Sequence, residues 1–152
     1  MTPEQKIQEL GLTLPEVPAP VAAYVPAVRT GDLVYTSGQV PFVDGKLAGT
    51  GKLGADLTTQ EGAALARICA LNAVAAVKSE IGDLGRVVRI VKVVVFVAGD
   101  PSFAEQPQVG NGASELLTEV FGDAGRHARS AVGVAALPLN VPVEVELIAE
   151  VS

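Results

Sequence analysis

The run His127-Ala128-Arg129-Ser130 and the later run Val143-Glu144-Val145-Glu146 hold the densest set of reactive groups in the chain. On an extended strand alternate side chains share a side, so His127 and Arg129 point together. The planar fork of an arginine donates two parallel hydrogen bonds to a carboxylate. A glutamate near that carboxylate can hold a water and take its proton. An Arg and a Glu on adjacent strands therefore suffice for hydrolysis of a small carboxylic acid. The same two residues on one sheet face also read as a cross-strand ion pair, which is the simpler reading from spacing alone.

Other reactive residues have structural readings beside the chemical ones. His127, the single histidine, reads as a surface or interface residue as readily as an acid–base group, and with the single cysteine, Cys69, it forms no metal set. Ser37-Gly38 offers a hydroxyl beside a flexible residue, but no nucleophile-elbow pattern surrounds it, and a turn explains it as well. The segment Gly45 to Gly54 has neither a phosphate-loop ending nor a dinucleotide fingerprint. Asn111 suits the N-cap of a helix running to Phe121. Tyr24, in a Pro-rich stretch, anchors that stretch in the structural reading. No metal or organic cofactor is expected.

These residues need elements to hold them. Thr2 to Leu10 reads as a short helix, with Thr2 as cap, Pro3 in the first turn and Gly11 at the end. Leu12 to Pro26 carries Pro15, Pro18, Pro20 and Pro26, which excludes helix and central strand and predicts an extended arm. The expected division is a helix and arm over residues 1–20 and a single domain over 21–152. Asp32 to Ser37 gives the first strand signal. Thr58 and Glu61 have capping-box spacing and open a helix that runs to Ile81 and stops at Gly82. That helix is apolar nearly all round, so it packs on more than one side. Arg86 to Ala98 is a Val-rich strand with little alternation, which predicts burial on both faces. Strands follow over Ala128 to Leu137 and Val143 to Val151. In the last, Val143, Val145, Leu147, Ala149 and Val151 face one way and Glu144, Glu146, Ile148 and Glu150 the other.

The predicted fold class is α+β, a mixed sheet with two helices on one face. The second face is expected to carry Glu144, Glu146, Arg129 and His127 among apolar residues. Such a mixture suggests a subunit interface containing a wet cleft.

Composition bounds the rest. A chain of 152 residues suits one core, and 49% apolar residues with only 4% aromatic make that core one of Val, Ala and Leu. A net charge of −6, without a basic run, argues against nucleic acid as the main partner. Cys69 lies in an Ala-rich helical stretch and reads as a buried, inert thiol. Met1 to Leu10 lacks the apolar core of a signal peptide, and the apolar run Ile90 to Ala98 is too short to span a bilayer, so a cytoplasmic protein is the expectation.

Four segments, in order, resemble the Rid family, the reactive-intermediate deaminases related to L-PSP proteins. They are Tyr24-Val25-Pro26-Ala27-Val28; Tyr35-Thr36-Ser37-Gly38-Gln39-Val40-Pro41; Ala66-Arg67 to Asn72 with Gly82-Asp83-Leu84; and Ala128-Arg129-Ser130-Ala131-Val132 with Leu137-Pro138 and Val143-Glu144-Val145-Glu146. The resemblance covers nearly all of the chain beyond about residue 20. It implies a chorismate-mutase-like fold and a homotrimer whose sheets close into a barrel, with clefts between neighbouring subunits. It implies hydrolysis of 2-imino or enamine acids to keto acids and ammonia, with Arg129 binding the substrate carboxylate and Glu144 positioning water. Tyr24, Ser37, Gly38, Asn111, His127 and Ala131 would line the cleft. Many relatives have a cysteine where this chain has Ala131, so no thiol nucleophile is expected here. His127 and the segment around Asn111-Gly112-Ala113-Ser114 mark a subgroup. The alternatives are an endoribonuclease or translation inhibitor, and a non-catalytic protein that binds a small metabolite.

Overall fold

The structure is a computed structural model that describes residues 1–17 and 23–152; Pro18 and Pro20 of the expected arm lie outside the described residues. Helix α1 (Pro3–Glu9) has a complete capping box, in which Thr2 Oγ1 accepts from Gln5 N at 3.1 Å and Gln5 Oε1 accepts from Thr2 N at 2.8 Å. Seven residues are too few to hold a helix in water, and Ile7, buried in the core, supplies the tertiary anchor. Burying one such side chain contributes on the order of 2 kcal/mol.

Strands β1 (Ala27–Thr30) and β2 (Leu33–Thr36) form a hairpin through Gly31-Asp32. Gly31 has φ +57°, the left-handed conformation that a two-residue hairpin turn demands. Strand β1 follows directly after the expected arm and is not among the strands expected from the sequence. A second small hairpin, β3 (Phe42–Val43) with β4 (Lys46–Leu47), turns through Asp44-Gly45.

Helix α2 (Thr59–Ile81) follows the Thr58/Glu61 capping box. It is long and apolar enough to cross a bilayer, yet it is the core helix of this domain. Its buried residues, Leu65, Ala66, Cys69, Ala73, Val74 and Val77 among them, meet β7 and the β1–β2 hairpin on one side and α3 on the other. The expected packing on more than one side is thus observed.

Strand β5 (Val87–Ala98), α3 (Gln106–Phe121) and β6 (Ala128–Val134) form a parallel crossover, and β7 (Val143–Val151) inserts beside β5. The five-stranded sheet has the order β1-β2-β7-β5-β6, with only β5 and β6 parallel. Both long helices cover one face, so the expected α+β layer is present. Residues of β7 alternate as read from the sequence, with Val143, Val145, Leu147, Ala149 and Val151 buried. Burial of β5 is one-sided in the single chain: Ile90, Val93, Val95 and Val97 are buried, whereas Val94 and Phe96 across the pleat are only partly covered.

Helix α3 begins five residues earlier than expected, so Asn111 is not an N-cap. Asn111 suits a cap by its residue type, but the helix starts earlier with Pro107 in its first turn, where proline is tolerated, and the glycines that follow serve close packing. A Cβ on Gly112 would lie 1.9 Å from the Ala63 carbonyl oxygen, so only glycine lets α3 approach α2 this closely.

Candidate active site

Two clusters of polar residues form, and they are separate. The first is built by α3 and β6. Asn111 and Ser114, three residues apart, lie on one face of α3. Arg129 on β6 reaches that face: its Nη1 donates to Asn111 Oδ1 at 2.9 Å and to Ser114 Oγ at 3.1 Å, and its Nη2 donates to the Pro107 carbonyl at 3.3 Å. Arg129 Nε has no protein acceptor among the described residues, so the Nε/Nη2 edge retains donors for a ligand. Gly110 makes room, since a Cβ there would lie 3.2 Å from Arg129 Nη1 and 3.4 Å from the Ala131 Cβ.

His127 belongs to the same cluster. Its Nδ1 lies 2.6 Å from the Gly125 carbonyl and its Nε2 lies 2.8 Å from Ser114 Oγ. Burial pushes the imidazole below its ordinary value; the Gly125 carbonyl opposes that shift, and the nearby Arg129 charge adds to it. The sequence placed His127 and Arg129 on one side, as observed. It did not give Ser114 a role, although its spacing from Asn111 carried the signal.

The second cluster surrounds Glu144 on β7. The β2–β7 register slips by one residue between the Tyr35–Ile148 pair and the Gln39–Val145 bridge. This bulge carries Ser37-Gly38 past Glu144. A Cβ on Gly38 would lie 2.6 Å from Glu144 Oε2, so glycine is what allows the carboxylate to stand there. Asn72 of α2 steadies the segment, donating to the Val40 and Phe42 carbonyls, both at 3.0 Å. Ser37 Oγ donates to the Val25 carbonyl at 2.6 Å, which ties down the strand beside Tyr24 and leaves the hydroxyl engaged. Tyr24 itself is 64% exposed. Burial raises the Glu144 carboxyl above its ordinary value, and the Glu146 charge raises it further. Cys69 is buried behind this strand, and burial, with the Glu144 charge, pushes its thiol well up, as expected of an inert thiol.

The structure corrects one expectation directly. Arg129 and His127 do not share the second sheet face with Glu144 and Glu146. Arg129 pairs with the buried Val93 and points to the helix face; Glu144 pairs with Phe96 and points to the opposite one. Nor are their strands adjacent, because β5 lies between β6 and β7. The alternation along β6 was assigned without knowing that the strand is an edge, where its arginine can fold against α3. A cleft of about 560 Å³ lies elsewhere, bounded by Val97, Gly99, Phe103, Gln106 and Gly133, and contains neither Arg129 nor Glu144. The two clusters thus hold different groups: an arginine that keeps free donors in one, and a partly buried carboxyl in the other.

The comparisons agree with this fold. The family described as "YjgF/chorismate_mutase-like, putative endoribonuclease" matches residues 4–151. Protein TCP17 of Trypanosoma cruzi is 50% identical over 147 residues, 96% of this chain and 92% of that one. A structure from Shewanella oneidensis described as a "putative endoribonuclease" superposes with a TM-score of 0.96 at 42% identity, covering 99% of this chain and 100% of the other. E. coli TdcF with bound serine gives 0.65 at 28% identity, covering 90% of this chain and 94% of that one.

Proposed function

The chain belongs to the YjgF/chorismate mutase-like family, and from that premise we propose that it is a hydrolase that deaminates 2-imino and enamine acids in clefts between neighbouring subunits. The observation that carries this reading is the Arg129 guanidinium, anchored by Asn111, Ser114 and the Pro107 carbonyl with its Nε/Nη2 edge still able to donate. Arg129 holds the substrate carboxylate through its free edge. Glu144 takes a proton from water as the water oxygen bonds to the C=N carbon. Glu144 passes that proton to the imine nitrogen, giving a tetrahedral carbinolamine, whose hydroxyl proton then moves to the nitrogen through Glu144. Collapse of that intermediate breaks the C–N bond and releases ammonia and the keto acid. An enamine enters after tautomerising to the imine. Burial, with the Glu146 charge, raises the Glu144 carboxyl and makes it a stronger base than an ordinary glutamate.

A second copy is required because one chain holds Arg129 and Glu144 on opposite faces. The uncovered face of the sheet fits that role. Val28, Tyr35 and Ile148 lie in one row across it and Phe96 and Val132 in another, with Val28 52% and Tyr35 44% exposed. We assign the assembly as a homotrimer, the arrangement that the resemblance implies. The bound serine of TdcF, a small amino acid with a carboxylate, supports a small carboxylate ligand here.

The family description favours a second reading, cleavage of RNA. The net charge of −6 opposes it. The test is keto-acid release from 2-imino acids generated in place by an amino-acid oxidase. Wild type should accelerate release, and Arg129→Ala should lower kcat/KM by about a hundredfold. Cleavage of RNA without acceleration of imine hydrolysis would favour the second reading.

A further inference from the structure

We infer that His127 is a positioning residue for Arg129, acting through the hydroxyl of Ser114; this rests on Arg129 being a carboxylate receptor. The direction of each hydrogen bond follows from chemistry. The Gly125 carbonyl can only accept, so His127 Nδ1, 2.6 Å away, carries the ring proton. In the neutral ring Nε2 is then an acceptor, and the Ser114 hydroxyl, 2.8 Å away, donates to it. With its proton committed, Ser114 Oγ turns lone pairs toward Arg129 Nη1 at 3.1 Å. The result is one chain of donors, Arg129 to Ser114 to His127 to the Gly125 carbonyl, in which each bond polarises the next.

This chain does what the other two arginine contacts do not. Asn111 is exposed and its amide can rotate, and the Pro107 contact is long at 3.3 Å. Ser114 is partly buried, and without His127 its hydroxyl would follow the ordinary preference of a mid-helix serine and donate to the carbonyl one turn back. The side-chain rotation that makes that bond would turn the oxygen and its lone pairs off Arg129 Nη1 and weaken the 3.1 Å contact, leaving the exposed amide as the main partner. The guanidinium would lose the orientation that leaves its Nε/Nη2 edge free for a ligand. His127 therefore touches no substrate, and its effect falls on binding of the carboxylate.

The experiment is calorimetric titration of the assembled protein with pyruvate, a carboxylate probe, and with pyruvamide, which lacks the charge. His127→Ala and Ser114→Ala should each weaken pyruvate binding about tenfold, because misplacing a clamp by a fraction of an ångström is costly. Pyruvamide binding should not change. His127→Gln, which can still accept from Ser114, should bind pyruvate within about threefold of wild type. In an Arg129→Lys background, adding His127→Ala should have no further effect, since the residue it positions is gone. Because the two alanine variants cut the chain from different elements, loss of folding in one leaves the other to decide. Unchanged pyruvate binding in a folded variant, or an equal loss in the Arg129→Lys background, would overturn the inference while imine hydrolysis by wild type stands. Wild type that neither binds pyruvate nor hydrolyses imines would remove the functional reading and this inference together.

Discussion

Arg129 and Glu144 lie on opposite faces of the sheet, with β5 between the strands that carry them. Two strand spacings alone separate their backbones by roughly 10 Å, and their side chains diverge from there. No side-chain rotation brings them to one substrate. Their separation is a property of the register: Val93 opposite Arg129 is core, and Phe96 opposite Glu144 is not.

The pH dependence of turnover should carry the signature of Glu144. A base must be ionised, so activity rises with pH through the Glu144 pKa, and that limb should lie above the range of an ordinary glutamate. Burial is the larger cause of the raised value and the Glu146 charge the second. Glu146→Gln removes the second cause only. The acid limb of kcat/KM should therefore move to lower pH, with the plateau kept. A limb that stays in place would show that another group titrates.

His127 should make stability pH-dependent in the opposite range. Its folded pKa is lowered, chiefly by burial, from an ordinary value of 6.5. A group depressed on folding stabilises the native state fully above the unfolded pKa. That contribution is lost as pH falls from there through the folded value, because the unfolded chain binds the proton first. Urea midpoints measured across that interval should fall with pH in wild type and fall less in His127→Gln.

Gly112→Ala should be destabilising by about 3 kcal/mol, near the upper end for a forced overpacking. The new methyl would meet backbone, the Ala63 carbonyl, rather than a side chain that can move. Chemical denaturation gives the value directly. A loss below about 1 kcal/mol would mean that α3 shifts freely on α2.

Much of this was legible in the residues. The Thr58/Glu61 box set the start of α2, and the clean alternation of β7 put Glu144 on the face away from the core. What escaped was held by contacts between distant segments. Asn111 looked like a cap because asparagine favours that position, whereas α3 starts at Gln106 and Gly110 and Gly112 admit Arg129 and the backbone of α2 within it. Ser114 had no visible role until β6 brought Arg129 and His127 onto its face of the helix. The pairing of Arg129 with Glu144 failed because strand order is set by long-range pairing, and nothing local states that β7 inserts next to β5. Asp44-Gly45 was a hairpin signal that the surrounding glycines obscured.

The most direct test of the split site is complementation between two inactive variants. Arg129→Ala and Glu144→Gln chains, each inactive alone, are refolded together in equal amounts and assayed for imine hydrolysis. In a ring where each cleft takes its arginine from one chain and its glutamate from the next, random mixing rebuilds about a quarter of the clefts. Recovery of about that fraction of wild-type activity is the expected result. No recovery from a mixture shown to contain hybrid oligomers would contradict it, because both residues would then have to act from a single chain.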